Sequence, residues 1–297
     1  MPAPTVSVII PAYNAARFIG RTMDSVSRQS FDDLEIIVVD DGSTDDTAEI
    51  VLSHPDPRIR LIRQANASQA AARNRGIAAS SAPYLSFLDA DDLWTPDKLA
   101  KQVAAMGDVD LCCTDGSSID LEDALIQTGI FPGHSGAVWE KLLTRNFIAC
   151  SSVMLRRSAL EPLDAYFRLG RQGCEDWDLW LRVAARGTVR HLAENLLLYR
   201  IHPGNISKRL DLMIASQNQV LEDAAAAPPF GLPPDLLAKK IRRAKVLNSI
   251  RHGHLCLATQ PDQAQSYFTS AIRTEWWYWR SYWGLAKTFL LKARNSP

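Results

Sequence analysis

Cysteine is scarce in this 297-residue chain: Cys112, Cys113, Cys150, Cys174 and Cys256 are the whole set, an odd number with no CxxC pair. That argues against a disulfide framework and an all-thiolate zinc site, and it suits a reducing compartment such as the cytosol. No stretch of about 18 uncharged apolar residues occurs, so no membrane-crossing helix is expected. The opening segment, MPAPTVSVIIPAYN, lacks a charged start followed by a long apolar run, so no secretory leader is expected. A net charge is missing too, because 33 Lys and Arg balance 33 Asp and Glu; that argues against a nucleic-acid partner. No GxGxxG follows the first apolar run and no GxSxG occurs. A nicotinamide-dependent oxidoreductase and a serine hydrolase are therefore unexpected.

What is present is ordinary globular material. Hydrophobic residues make up 46% and charged residues 22%, with 15 Gly and 16 Pro, enough to build a core without staples. The length fits one large or two small domains. The charge balance hides an asymmetry: residues 205–297 carry 13 Lys and Arg against 6 Asp and Glu, a net +7, and residues 1–204 carry the compensating −7. A cation-dependent site belongs in the acidic part, and the basic part suits an anionic surface.

Val6 to Ile10 is an unbroken β-branched run, the mark of a strand buried on both faces. Helical spacing follows over 15–29. Further strands are expected over Leu34–Val39, Arg58–Arg63, Pro83–Leu88 and Val109–Thr114. Helices are expected over 44–52, capped by Ser43 or Thr44, over 67–78, and from Thr95 with Pro96 at its first position. Four alternations with short connections imply a parallel, right-handed α/β sheet, which binds ligands beyond the carboxyl ends of its strands. Those ends read Pro11-Ala12-Tyr13-Asn14, Asp40-Asp41-Gly42-Ser43 and Asp89-Ala90-Asp91-Asp92. Residues 116–147 look loop-rich. A strand over Phe147–Leu155, a helix over Glu175–Arg186 and a pair of short strands over Val189–Tyr199 follow. Beyond 209 the pattern is helical, broken at Pro228-Pro229, Pro233-Pro234 and Pro261. The expected division is 1–207 and 208–297, with the boundary near 205–230.

The segments VSVIIPAYN, VVDDGSTDDT, ARNRG and FLDADD occur in that order. Together they resemble family 2 glycosyltransferases over roughly residues 5–205. The resemblance implies a GT-A fold: a mostly parallel, Rossmann-like nucleotide-binding sheet flanked by helices, here with a C-terminal helical tail. It implies that Asp40 contacts the nucleobase, that Pro11, Ala12 and Tyr13 line the base pocket, with Asn14 and Asp41 beside them, and that Arg73 is the base-side arginine. Read from the residues alone, Asp40 and Asp41 can accept from a base or a ribose, or simply cap the following helix.

Asp89-Ala90-Asp91 is a DxD pattern. Alternate residues of an extended chain face one side, so both carboxylates can meet the same ligand. A nucleoside diphosphate bridged by Mg²⁺ or Mn²⁺ suits all-oxygen ligation. The resemblance makes Asp91 the metal ligand and lets Asp89 reach the ribose or the ion. Asp92 reads equally as a cap ahead of Pro96. Glu175-Asp176 opens a helix, where acidic residues also complement the macrodipole. The resemblance makes Asp176 the general base that takes the acceptor's proton, in a single displacement that inverts the anomeric carbon. Glu175 and Trp177 fall on the acceptor side, and Trp177 and Trp180 are also suited to packing.

Tyr199-Arg200-Ile201-His202 through Ser207 resembles the family's YRxHxxxxS end segment. His202 there completes the metal shell, touches the diphosphate, or is a structural histidine. The absence of QxxRW and of a spanning helix points to single or few transfers.

In the tail, Trp276, Trp279, Trp283, Ala286 and Leu290 share one helical stripe, with Arg280, Lys287 and Arg294 on another. Either the stripe packs against the preceding helices, or residues 274–297 make peripheral membrane contact and bring the enzyme to a lipid-linked acceptor. The sequence thus reads as a metal-assisted, inverting transferase with a nucleotide-sugar donor and a saccharide or lipid-linked acceptor, cytoplasmic or peripheral at a membrane's inner face. A non-catalytic nucleotide-sugar binder and a sugar nucleotidyltransferase are the alternatives. The latter usually needs a Gly-rich basic loop where this chain has PAYN.

Overall fold

The computed structural model describes residues 3–206 and 210–294. The β-branched run becomes β1 (Val6–Ala12), buried along its whole length. Parallel neighbours flank it: β2 (Leu34–Asp40) on one side and β4 (Tyr84–Phe87) on the other, with β3 (Ile59–Arg63) parallel beyond β2. The connections carry α1 (Ile19–Ser27), α2 (Thr47–Ser53) and α3 (Gln69–Ala79). Ile9 joins the core on one face of the sheet, while Val8 and Ile10 join the core on the other. Burial on both faces is why β1 and the Ile36–Val39 stretch of β2 read as apolar runs. The chain reverses its direction of travel across the sheet at β1, so the crevice beyond β1, β2 and β4 is a topological switch point.

The rest of the sheet is mixed. β5 (Leu93–Trp94), α4 (Lys98–Met106), β6 (Leu111–Ile119), β7 (Leu125–Gln127), α5 (Trp139–Thr144), β8 (Met154–Arg156), α6 (Glu175–Ala184) and β9 (Val189–Arg200) follow in order. Among the described residues, nine strands form one sheet, ordered β3-β2-β1-β4-β8-β6-β9-β5 with β7 on β6. β8 runs antiparallel between β4 and β6.

Several expectations need correction. The helix expected from Thr95 starts at Lys98, because Leu93 and Trp94 pair antiparallel with Leu198 and Leu197. Ser43 and Thr44 do not cap α2. Ser43 Oγ accepts the Asn14 N–H at 3.0 Å and the Thr44 N–H donates to Asn14 Oδ1 at 2.9 Å. The strand expected over 147–155 is a buried loop and a 3-10 turn, Cys150–Ser152, ahead of the short β8. The two strands expected over 189–199 are one, with register shifts opposite Asp115. The supposed loop region carries the end of β6, β7 and α5.

The C-terminal helices are α7 (Leu210–Ala226), α8 (Pro234–Cys256), α9 (Pro261–Thr274) and α10 (Trp279–Arg294). Pro234 and Pro261 open α8 and α9, where a missing N–H costs nothing. Val220, Leu221 and Ala224 of α7 and Ile241 and Ala244 of α8 belong to the same core cluster as Leu179 and Trp180 of α6. The core therefore runs across the expected 205–230 boundary. A second, small cluster gathers Val246, Ile250, Phe268, Ala271 and Tyr278. Among the described residues no helix is long and apolar enough to cross a membrane.

Candidate active site

Beyond the carboxyl ends of β1, β2 and β4 lies a cavity of about 670 Å³. Pro11, Ala12, Tyr13 and Asn14 form one wall, and Tyr13 is half exposed, at 53%. Asp41, Asp89, Ala90 and Asp91 line it as well, with Glu175 and His202 opposite in the chain but adjacent in space. Five acidic or imidazole side chains from four separate segments thus meet in one place.

The two aspartates ending β2 divide their work. Asp40, expected at the nucleobase, is fully buried and off the cavity wall; it accepts from the Ser43 N–H at 2.9 Å and Arg63 Nε at 3.3 Å. It fastens the turn. Asp41 is the one on the wall. Its oxygens accept from Gln64 Nε2 at 2.7 Å and from the backbone N–H groups of Ala67 and Ser68, each at 2.9 Å. Gly42 has φ +78°, and a Cβ there would press on Asn66 N, so only glycine lets the chain turn so tightly after the pair.

His202 Nε2 stands 2.8 Å from Asp91 Oδ2. The Gly204 N–H donates to His202 Nδ1 at 3.1 Å, which leaves the ring proton of the neutral imidazole on Nε2, facing Asp91. Burial, and next the charge of Asp89, push the Asp91 carboxyl up, while the His202 hydrogen bond pulls it down. Asp92 is not a helix cap: it is buried, Oδ1 accepting the Arg200 N–H at 2.9 Å and Oδ2 the Ser151 hydroxyl at 2.6 Å. Burial and its acidic neighbours raise its carboxyl far above the usual range.

Among the described residues no three His, Cys, Asp or Glu side chains are grouped to hold an ion by themselves. Asp91, oriented by the His202 Nε2–H, nevertheless presents hard oxygen donors on a cavity wall. They fit a divalent ion that takes its remaining oxygens from a diphosphate, the usual manner of Mg²⁺ binding. Ser207, the last residue of the end segment, lies outside the described residues.

Arg73 is buried rather than on the wall. It bridges Asp89 Oδ1 at 2.6 Å and Glu175 Oε1 at 3.1 Å, with its guanidinium 5.2 Å from the Phe167 ring centroid. Glu175 Oε2 is buried without a hydrogen-bond partner, an acceptor held in reserve at the cavity. Asp176 lies next to it; Oδ1 takes the Trp177 N–H at 2.6 Å and Oδ2 the Asn146 amide at 3.3 Å. Burial first, and then the charge of Glu175, push the Asp176 carboxyl up to about 7. Trp177 does not border an acceptor groove: it is 2% exposed, and its indole N–H is spent on Leu142 O at 2.8 Å.

Three supporting residues were not legible. Arg200 sits fully buried, donating to Asp91 O and Asp120 O, each at 2.7 Å, and pairing with Asp123. Ser151 also accepts the Asp89 N–H at 3.1 Å, and so ties both ends of the DADD segment. Asn146 holds Asp176. Only the adjacency of Arg200 to His202 in the end segment offered any signal.

The family model described as Glycosyl transferase family 2 matches residues 7–163. The chain is 32% identical over 220 residues, 73% of this chain and 85% of the relative, to the Escherichia coli UDP-Glc:alpha-D-GlcNAc-diphosphoundecaprenol beta-1,3-glucosyltransferase WfaP. It is 33% identical over 211 residues to the putative teichuronic acid biosynthesis glycosyltransferase TuaG of Bacillus subtilis, spanning 69% of this chain and 82% of that one. Among solved structures, S. aureus TarS 1–349 in complex with UDP-GlcNAc shares the fold with TM-score 0.69 at 17% identity, covering 91% of this chain and 81% of that one. The mannosyltransferase PcManGT from Pyrobaculum calidifontis, in complex with GDP-Man and Mn²⁺, does so with TM-score 0.60 at 19% identity, covering 99% and 88%. The fold is therefore the GT-A type.

Proposed function

The chain belongs to glycosyl transferase family 2 and is a sugar-transferring enzyme; from that premise we propose an inverting, metal-assisted hexosyltransferase that uses a nucleoside diphosphate sugar. The observation that carries this reading is the meeting of Asp41, Asp89, Asp91, Glu175 and His202 in a single cavity, with Asp176 beside Glu175. Two of the relatives and neighbours bear UDP-sugars in their names or complexes and another GDP-Man, so UDP-sugars are the first donors to try. WfaP's lipid-linked diphosphate acceptor makes a lipid-linked saccharide the first acceptor.

In this reading Tyr13 covers the base, and Asp41, not Asp40, accepts its N–H. Asn14 and Asp89 border the ribose, and Glu175 Oε2 accepts a hydroxyl of the donor sugar. Asp91, with His202 beside it, would hold a divalent ion, which would supply positive charge against that of the departing diphosphate. His202, its Nε2–H turned to the Asp91 carboxylate, fixes that carboxylate from behind. Arg73 acts through Asp89 and Glu175 as a positioning residue. Asp176 takes the proton of the acceptor hydroxyl as that oxygen attacks the anomeric carbon. The bond from that carbon to the phosphate oxygen breaks on the opposite face, and its electron pair leaves with the diphosphate. Configuration inverts because a single displacement occurs.

Asp176→Asn tests the reading. Nucleotide affinity, measured by calorimetry, should stay unchanged while transfer falls about a hundred- to ten-thousand-fold. Full transfer by this variant would remove Asp176 as the base.

A further inference from the structure

The last helix, α10, turns small side chains inward and aromatic ones outward. α10 buries Ser281, Gly284 and Thr288. Gly284 is small of necessity, because a Cβ there would run into the Phe268 ring of α9. The opposite face carries Trp279, Tyr282, Trp283 and Phe289, exposed by 65%, 46%, 57% and 53%, and Trp276 stands 74% exposed in the turn before. A helix of a soluble protein has the reverse distribution. An aromatic face of this size calls for a cover.

The cover's chemistry follows from what flanks the aromatics. Arg280 lies 5.6 Å from the Trp279 ring centroid, and Lys287 lies 5.5 Å from that of Trp283. A groove of about 700 Å³ runs between this face, α8 and the end of α5. Arg145 and Arg251 add two more cations to it, and among the described residues no acidic side chain lines it. The whole segment 205–297 carries the net +7.

We propose that this face docks on an anionic phospholipid bilayer, with the indole and phenol rings at headgroup depth and the cations on lipid phosphates. Aromatic rings with one polar edge favour that depth, and basic side chains beside them add attraction to anionic lipid. A second copy of the chain is a poor cover, since a two-fold contact would set this cationic groove against itself. The groove also reaches the chemistry. Its wall residues Thr144 and Arg145 directly precede Asn146, whose amide holds Asp176. Docking therefore holds at the bilayer the segment whose next residue positions Asp176. That last step rests on the proposed function, but the docking does not.

The test uses the full chain with no donor or acceptor, mixed with vesicles of phosphatidylcholine alone or of phosphatidylcholine with phosphatidylglycerol. We expect co-sedimentation with the anionic vesicles, a blue shift of tryptophan emission, and loss of binding as salt rises. Arg280→Gln with Lys287→Gln should weaken that binding about thirtyfold, and Trp279→Ala with Trp283→Ala at least tenfold. Both pairs should keep the thermal melt and nucleotide affinity of the parent, because Trp279, Arg280 and Trp283 are exposed and the half-buried Lys287 lines the groove beside Trp283. Equal binding to both vesicle types, variants that bind like the parent, or a dimer that the tryptophan substitutions dissolve would each overturn the proposal. Transfer to a soluble acceptor, assayed alongside, keeps such a failure distinct from failure of the enzymatic reading.

Discussion

In the proposed mechanism Asp176 is the base, and its surroundings suit that carboxylate to proton transfer at neutral pH. In water its proton would be gone far below neutrality, and a base that weak takes little from a hydroxyl. Burial and Glu175 raise it to about 7. Since the base works deprotonated, kcat/KM should rise with pH and level off above about 7, with a single-proton limb. Glu175→Gln, which deletes the second-largest cause of the shift, should move that limb to lower pH. A limb that stays put under Glu175→Gln would contradict the electrostatic account. The same shift has a stability cost of definite sign. Between roughly pH 4 and 7 the folded chain holds a proton that the unfolded chain has released, so stability falls as pH rises across that window. Asp176→Asn abolishes that fall, and its melting temperature should exceed the parent's at pH 8 and match it more closely at pH 4. Arg73 is the opposite case, a charge kept buried by two partners. Arg73→Met leaves Glu175 buried without its counter-charge and should lower unfolding stability by about 3–5 kcal/mol, read from the urea midpoint.

The elements that carry these residues depend on close packing of small side chains. α3 lies on β1 with Ala70, Ala72 and Gly76 buried, and a Cβ at Gly76 would strike Ile9 Cγ2 in the fully buried middle of β1. Gly76→Ala gains about 1 kcal/mol of helix propensity but overpacks a rigid spot at about 1–3 kcal/mol. The clash wins, and chemical denaturation should show a less stable protein; a more stable one would mean the α3–β1 contact yields easily. β1 and β2 were legible because strands buried on both faces leave apolar runs, Val8–Ile10 and Ile36–Val39. Residues 147–155 carry the same signal for another reason: Phe147, Ile148 and Val153 are buried, yet they belong to a loop that the core swallows. β9 reads as two strands because the exposed Glu194 and Asn195 interrupt its pattern where its register shifts. Asp41, Asp89, Asp91 and Asp176 were legible because they stand at strand or helix ends. Ser151 and Arg200 act on Asp92 from 59 and 108 residues away, a relation no local pattern encodes. The choice between Asp40 and Asp41 was equally closed to the sequence, since neighbouring residues of a strand point to opposite sides and only the packing says which side is the cavity.

At the scale of the whole molecule, the opposite charges of the two parts correspond to two surfaces. The acidic strand ends converge on one cavity, and the basic helices carry the exposed tryptophans. The expected boundary at 207 does not divide the core, because α7 and the first half of α8 complete the apolar cluster behind α6. Removing residues 208–297 should therefore unfold the remainder rather than yield a free catalytic domain. The central claim is that the acidic clusters form one diphosphate-binding cavity. Its most direct test is calorimetric titration of UDP and GDP, with and without Mn²⁺, into the parent and Asp91→Ala. The account expects Mn²⁺ to tighten one nucleotide at least tenfold in the parent and to have no effect on Asp91→Ala. Equal Mn²⁺ dependence in both proteins, or no nucleotide binding by the parent, would contradict it.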